Sequence, residues 1–172
     1  MSAPILAQIR VTNRCNLSCP YCYANDDTTS IDMSLDKLYE LVDICEREGV
    51  LGITWTGGEP FCRTGFVDIL KRTHQKGIRQ TVLTNGTLLS EELTKDLPRD
   101  NLNFQISLNS VWEDKKGCDG VIDNVSRMVG EGYEIQLSAI LERVEISQYE
   151  ELIQCLVTGA VKVYAQISLQ IS

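Results

Sequence analysis

At 172 residues, 43% apolar and 23% charged, the chain has an ordinary globular balance and enough length for one domain burying about 70% of its unfolded surface, which argues against disorder, collagen or several domains. Sixteen Lys and Arg against twenty-four Asp and Glu leave a net charge of −8, which repels nucleic-acid phosphates and anionic headgroups, so neither nucleic acid nor membrane is an expected partner. No run approaches the roughly 18 apolar residues of a bilayer span and residues 1–5 are too short for a signal peptide's apolar region, so a cytoplasmic location is expected.

In chain order, strand-like apolar runs alternate with helical patterns. A first strand is expected at residues 5–12. Ser34 then N-caps a helix with Leu35, Leu38, Leu41, Val42 and Cys45 on one face, terminated by Gly49. A second strand at 50–56 leads to a helix near 64–76 that ends at Gly77. A third strand at 78–84 precedes a short helix starting around Ser90, which must stop before Pro98. The fourth strand, 102–108, is followed by a helix over 121–131 with Val121, Ile122, Val125, Met128 and Val129 inward and Gly132 closing it. After a fifth strand at 133–141, Ser147 and Glu150 form a capping box for a fifth helix ending at Gly159, and a sixth strand follows at 161–169.

This βα alternation predicts an α/β fold with parallel strands. Six units are too few for the eight-fold barrel of about 250 residues, so the expectation is a partial (βα)6 TIM-like barrel ending at or just after the sixth strand, as a single domain over 1–172. Such an arrangement lacks a last helix and leaves the sixth strand as an edge, so either something else covers it or the sequence is part of a longer protein. In folds of this kind the chemistry sits beyond the carboxyl ends of the strands.

Seven cysteines are an odd number in a chain with no export signal, which leaves reduced thiols or metal ligation, and a lone histidine, His74, removes every site that needs several imidazoles. Directly after the first strand stand Cys15, Cys19 and Cys22, three thiols within eight residues. An iron–sulfur cubane usually takes four thiolates, so three would leave one iron open to a ligand, and a net charge of about −1 would favour a cationic one such as a sulfonium. A structural zinc borrowing Cys62 or Cys118, or a loop of unrelated thiols, remains an alternative on spacing alone. After the second strand comes Thr56-Gly57-Gly58-Glu59-Pro60. Its glycines let main chain approach a ligand, Glu59 offers a carboxylate to an ammonium group, and Pro60 holds Glu59 extended; the same residues could also make a plain strand-to-helix turn. Among the remaining candidates, Cys62 reads as a buried thiol rather than a site-facing one, Cys45 and Cys155 as core, Cys118 as a loop thiol and His74 as solvated surface, while Trp55 and Trp112 either line the mouth of the site or pack.

The Cys15-x-x-x-Cys19-x-x-Cys22 loop with an aromatic before its third cysteine, the Gly57-Gly58-Glu59-Pro60 turn, Thr84-Asn85-Gly86 after the third strand and Ser107-Leu108-Asn109 at the end of the fourth together resemble the radical S-adenosylmethionine superfamily, over nearly the whole chain. The resemblance implies that Cys15, Cys19 and Cys22 ligate three irons of a [4Fe–4S] cluster whose fourth iron is chelated by S-adenosylmethionine. It implies that the main chain of Tyr21 bonds the adenine edge, that Gly57, Gly58 and Glu59 hold the methionyl ammonium, and that Ser107 contacts ribose or carboxylate. Lys115-Lys116-Gly117 stands where an Arg-Gly often appears, and Lys116 can pair with the cofactor carboxylate but not in a bidentate fork. Asn109 and Ser110 replace the Asp-Gly common in peptide-modifying members. The implied reaction is reductive cleavage of the cofactor to methionine and a 5′-deoxyadenosyl radical that abstracts hydrogen from a substrate, with a peptide or protein favoured, and a low-potential flavodoxin- or ferredoxin-like donor as partner. The alternatives are an activase that installs a glycyl radical on a partner enzyme, and a truncated, non-catalytic cluster-binding core.

Overall fold

Six strands, β1 (Leu6–Arg10), β2 (Gly52–Thr56), β3 (Arg79–Thr84), β4 (Leu102–Ser107), β5 (Glu134–Leu141) and β6 (Tyr164–Leu169), form one sheet in chain order. Every neighbouring pair is parallel. The computed structural model describes residues 6–19, 22, 32–108, 115–141 and 164–169. Between strands lie α1 (Leu35–Arg47), α2 (Phe66–Gln75), α3 (Glu91–Thr94) and α4 (Lys115–Gly130). Parallel neighbours in sequence order are the topology of an incomplete (βα) barrel, as the alternation predicts. The expected fifth helix with Cys155, together with Trp112, falls outside the described residues.

Strands β1 to β5 have two unlike faces. Ile9, Ile53, Trp55, Val82, Phe104, Ile106, Ile135 and Leu137 are buried, and they share one core with Leu38 and Val42 of α1, Ile69 and Leu70 of α2, and Val121, Val125 and Met128 of α4. Of the alternate positions, Thr54, Thr81, Asn103, Gln105, Gln136 and Ser138 are polar and half-buried, and Leu83 is an apolar exception. Fully covered parallel sheets read as continuous apolar runs; here a period of two separates a helix-covered face from an open polar one. The register carries each polar residue to its neighbours: Thr54 pairs with Thr81 and Thr81 with Asn103, while Gln105 pairs with Gln136 and Ser107 with Ser138.

The helix boundaries follow local chemistry with three departures. Ser34 Oγ accepts from the Lys37 N–H at 3.4 Å and Ser90 Oγ from the Leu93 N–H at 3.4 Å, the expected caps. The second helix starts at Phe66 rather than 64 because Gly65 has φ +81 and ends the preceding turn. Its missing Cβ would lie 2.7 Å from Leu35 Cδ1, so glycine is also what lets the start of α1 pack there. A single 3-10 turn over Pro60–Cys62 escapes the sequence pattern, being too short to show a period. The fourth helix begins at Lys115, six positions before the expected 121. Gly117 and Gly120 each cost about 1 kcal/mol against alanine in a helix, and here the tertiary setting overrides that weak preference.

The structure decides between the two readings of Trp55 and departs from the surface reading of His74. Trp55 packs fully buried in the core and donates Nε1–H to Gln80 Oε1 at 3.0 Å, so it does not line the site. His74 is half-buried rather than solvated, with Nε2 3.9 Å from an Asp100 carboxylate oxygen, because the end of α2 lies against the turn that enters β4.

Candidate active site at the carboxyl ends of the strands

The sulfur loop and the glycine turn are locked to each other by main chain. Beyond the last paired residues of β1 and β2, Val11 N–H donates to Thr56 O at 2.8 Å, Gly58 N–H to Thr12 O at 2.9 Å and Glu59 N–H to Arg14 O at 2.8 Å. These bonds continue the sheet's pairing into the two loops. They also explain the glycines: a Cβ on Gly57 would lie 2.4 Å from Thr12 O, and one on Gly58 would lie 2.5 Å from Arg14 O. The close approach they permit is therefore first of all between two segments of this chain.

Glu59 is fully buried. One carboxylate oxygen accepts from the Phe61 N–H at 3.1 Å, capping the 3-10 turn, and the other from the Asn85 N–H at 2.8 Å. Thr84 Oγ1 is 2.9 Å from both. Burial pushes the Glu59 pKa above its ordinary value, and the Asn85 and Phe61 N–H groups and the Thr84 hydroxyl pull it part of the way back. Two obligate main-chain donors, one per oxygen, match the ionised carboxylate. The side chain thus ties the end of β2 to the end of β3. It is seated next to the turn made by Gly57 and Gly58, with three donors on a carboxylate that offers about four acceptor sites.

The sulfur loop is braced at both shoulders. On one side, Asp32 accepts from Thr12 Oγ1 at 3.0 Å and the Asn13 N–H at 3.3 Å, and pairs with Arg14 at 3.1 Å and Arg63 at 3.0 Å. Arg63, almost buried, also donates to the Met33 carbonyl. Burial pushes the Asp32 carboxyl up, but its bonds from Thr12, Asn13 and Arg63 and the charge of Arg14 outweigh that and hold it below the usual carboxylate range. On the other side, Asn85 donates Nδ2–H to Asn16 Oδ1 at 2.9 Å, and Asn16 donates to Thr87 Oγ1 at 2.8 Å. Asp32, Arg63, Asn16 and Thr87 carry no motif of their own, and sequence reasoning did not single them out.

Between these shoulders lies a cavity of about 310 Å³. Cys15, Cys19 and Cys22 line it with Gly57 and Gly58, the ends of β3 and β4 at Thr84, Asn85 and Ser107, and Leu17, Thr56, Leu83, Gln105 and Ser138. Gln105 and Ser138 share the polar face with Ser107, a relation that the period-two alternation could have revealed. Cys62 is half-buried and outside this lining; burial pushes its thiol up, as do the nearby Glu59 and Cys15 charges, while the Asn16 N–H and Arg14 pull it down. Cys45 is buried in the core. Tyr21, Asn109 and Ser110 lie outside the described residues, and Lys116 falls in the first turn of α4.

The donor set fits an iron–sulfur cluster. Cys15, Cys19 and Cys22 line one cavity, while among the described residues no three such side chains are close enough to hold a single metal ion; in a cubane each thiolate binds a different iron, and three leave the fourth iron open. Desolvation pushes the Cys15 thiol up; the Leu17 N–H, 3.4 Å from Sγ, pulls it down, and Glu59, Cys19 and Cys22 push it up further. A thiol held protonated in this way is one that a coordinated metal would deprotonate.

Comparison with known proteins agrees with this reading. The model of the Radical SAM superfamily matches residues 9–157. A probable GTP 3′,8-cyclase of Methanocella arvoryzae is 34% identical over 148 residues, covering 81% of this chain and 46% of its own. The PqqA peptide cyclase of Bradyrhizobium diazoefficiens is 29% identical over 113 residues, 64% of this chain and 30% of its own. In three dimensions, Streptococcus suis SuiB bound to S-adenosylmethionine superposes with a TM-score of 0.80 at 17% identity, over 99% of this chain and 42% of SuiB. The chain spans less than half the length of each.

Proposed function

Because the chain belongs to the radical S-adenosylmethionine superfamily, whose members use a [4Fe–4S] cluster and S-adenosylmethionine, we propose that it is the catalytic core of such an enzyme and acts on a peptide or protein. The observation that carries the proposal is the convergence of Cys15, Cys19, Cys22, Gly57 and Gly58 on one cavity at the carboxyl ends of the strands. When bound, the reduced cluster and S-adenosylmethionine supply the electron and the 5′-deoxyadenosyl radical that abstracts hydrogen from substrate.

The protein's own share is placement. Cys15, Cys19 and Cys22 would hold three irons. The Gly57–Gly58 main chain would face the methionyl end of the cofactor, shaped from behind by Glu59, and Ser107, exposed at the end of β4, would meet its ribose or carboxylate. Tyr21 and Lys116 keep the roles the resemblance implies, as adenine and carboxylate contacts. A neutral, hydrogen-bonding substrate suits the described walls, where apart from the thiols the side chains are uncharged: Thr56, Leu83, Gln105, Ser107 and Ser138. An amide-rich peptide is such a substrate, and the PqqA peptide cyclase is a relative that acts on one by name. Among the described residues no helix is long and apolar enough to cross a membrane. A cytoplasmic location, a flavodoxin- or ferredoxin-like electron donor and one domain over residues 1–172 complete the proposal.

The test is anaerobic reconstitution with iron and sulfide, reduction with dithionite, addition of S-adenosylmethionine and an assay for 5′-deoxyadenosine. Wild-type protein is expected to form it. Cys19→Ala should lose both product and the visible absorption of the cluster, whereas Cys45→Ala keeps both. A cluster-loaded wild type that makes no 5′-deoxyadenosine leaves only a non-catalytic core.

A further inference from the structure

Asn85 sits where the end of β3, the glutamate of the glycine turn and the sulfur loop meet. It is 8% exposed and lines the cavity. Its main-chain N–H is held by Glu59 at 2.8 Å. Its Oδ1 accepts from the Thr87 N–H at 3.0 Å and from Thr87 Oγ1 at 2.6 Å. A main-chain N–H can only donate, so the oxygen must lie on that side and the Nδ2 hydrogens must face the other way. There they meet Asn16 Oδ1 at 2.9 Å and Cys15 Sγ at 3.9 Å. Asn16 closes the ring by donating to Thr87 Oγ1 at 2.8 Å.

The turn that carries Asn85 has little freedom. Thr84 Oγ1 takes the Gly86 N–H at 3.1 Å while giving its own hydrogen to Glu59. Gly86 sits at φ +77, and a Cβ there would lie 2.8 Å from Ile106 Cγ2, so the chain reverses where only glycine fits. The carboxamide is thus fixed from three sides before any ligand arrives.

We propose that Asn85 is a positioning residue for the cluster: its amide nitrogen holds Asn16 and points a hydrogen at the Cys15 sulfur, anchoring the sulfur loop to β3 and raising the cluster's reduction potential. The proposal rests on the cluster assignment above. A donor to a ligating sulfur withdraws negative charge and favours the reduced cluster, and hydrogen bonds to sulfur are among the levers that set such potentials.

The experiment is a mediated redox titration of the anaerobically reconstituted protein, with the rate of iron release to a chelator measured alongside. Asn85→Ala is expected to lower the midpoint by about 59 mV, a tenfold change in a one-electron equilibrium. Asn85→Asp should lower it further, since it replaces the donor by a negative charge. Asn16→Ala alters an exposed side chain and keeps the Asn85 residue itself. It should release iron about tenfold faster, the scale expected when a partner of a metal ligand is removed. An Asn85 variant that folds, by circular dichroism, yet cannot retain the cluster also supports the proposal. Unchanged potentials in both Asn85 variants overturn it, even if their melting temperatures fall, because a purely structural role would move only the latter. Failure of the wild type to take up a cluster overturns the underlying assignment instead.

Discussion

Glu59 receives hydrogen bonds from three parts of the chain at once: its own 3-10 turn, the last residue of β3 and the residue after it. Glutamine in its place has one acceptor oxygen and a donor amide, so one of the two main-chain N–H groups would face a second donor in a site closed to water. An unpaired buried group costs about 1–3 kcal/mol. Glu59→Gln is therefore expected to lower the unfolding free energy by that amount, read as a lower urea midpoint, and to loosen the Asn85 turn. If the side chain instead reached a ligand, the substitution would weaken cofactor binding and leave the stability of the empty protein alone. Comparing urea unfolding with and without S-adenosylmethionine separates the two.

At the scale of elements, the sulfur loop behaves as an extension of the sheet, and its glycines are tested by what surrounds them. A Cβ at Gly57 meets Thr12 O at 2.4 Å and Thr12 N at 3.3 Å, both main chain, so no side-chain rotation relieves the clash. Gly57→Ala should cost about 3 kcal/mol and separate the two loops. Gly120, inside α4, has nothing within 4 Å of its would-be Cβ, so Gly120→Ala should stabilise by about 1 kcal/mol. The two midpoints in urea should move in opposite directions. The Asp32 brace gives a pH signature. Its folded pKa lies below the ordinary 3.8, so its contribution is present above that value and is lost as pH falls through the lower folded one. Removing it strands nearly buried Arg63, and Asp32→Asn should cost about 1–3 kcal/mol at neutral pH. The gap between wild type and variant, from urea titrations at stepped pH, should close in strong acid.

Across the whole molecule, one apolar layer supports everything at the strand ends. Phe104 is fully buried at the middle of β4, stacked near Phe61 with ring centroids 6.4 Å apart and edge-on to Tyr133 at 5.5 Å. It joins the 3-10 turn after the glycine motif to the start of the fifth unit. Phe104→Ala should destabilise by about 3–5 kcal/mol, and through Phe61 it should speed cluster loss as well. Chelator release measured beside urea unfolding checks both. The opposite face of the sheet contributes little to that core. Its mostly polar rows stay open, with Leu83 the apolar exception on β3, which leaves room for a cavity where a closed barrel would be filled with side chains.

Strand and helix order, the thiol spacing and the glycine turn could all be read from the amino-acid sequence alone, because periodicity, caps and short-range chelation depend on neighbours a few residues away. Ser34, Gly49 and Gly77 act where their chemistry says they should. The folded structure alone decided that Glu59 turns inward, that Trp55 packs away from the site, and that α4 runs through two glycines. It also decided which residues brace the sulfur loop. Asn16 meets Thr87 across 71 positions and Asn85 across 69, and Asp32 meets Thr12 across 20. The Asn16 pairs form only where parallel strands bring their carboxyl ends together, Asp32 returns to Thr12 within the one connection from β1 to α1, and no local pattern encodes where a distant strand or a loop's return will fall.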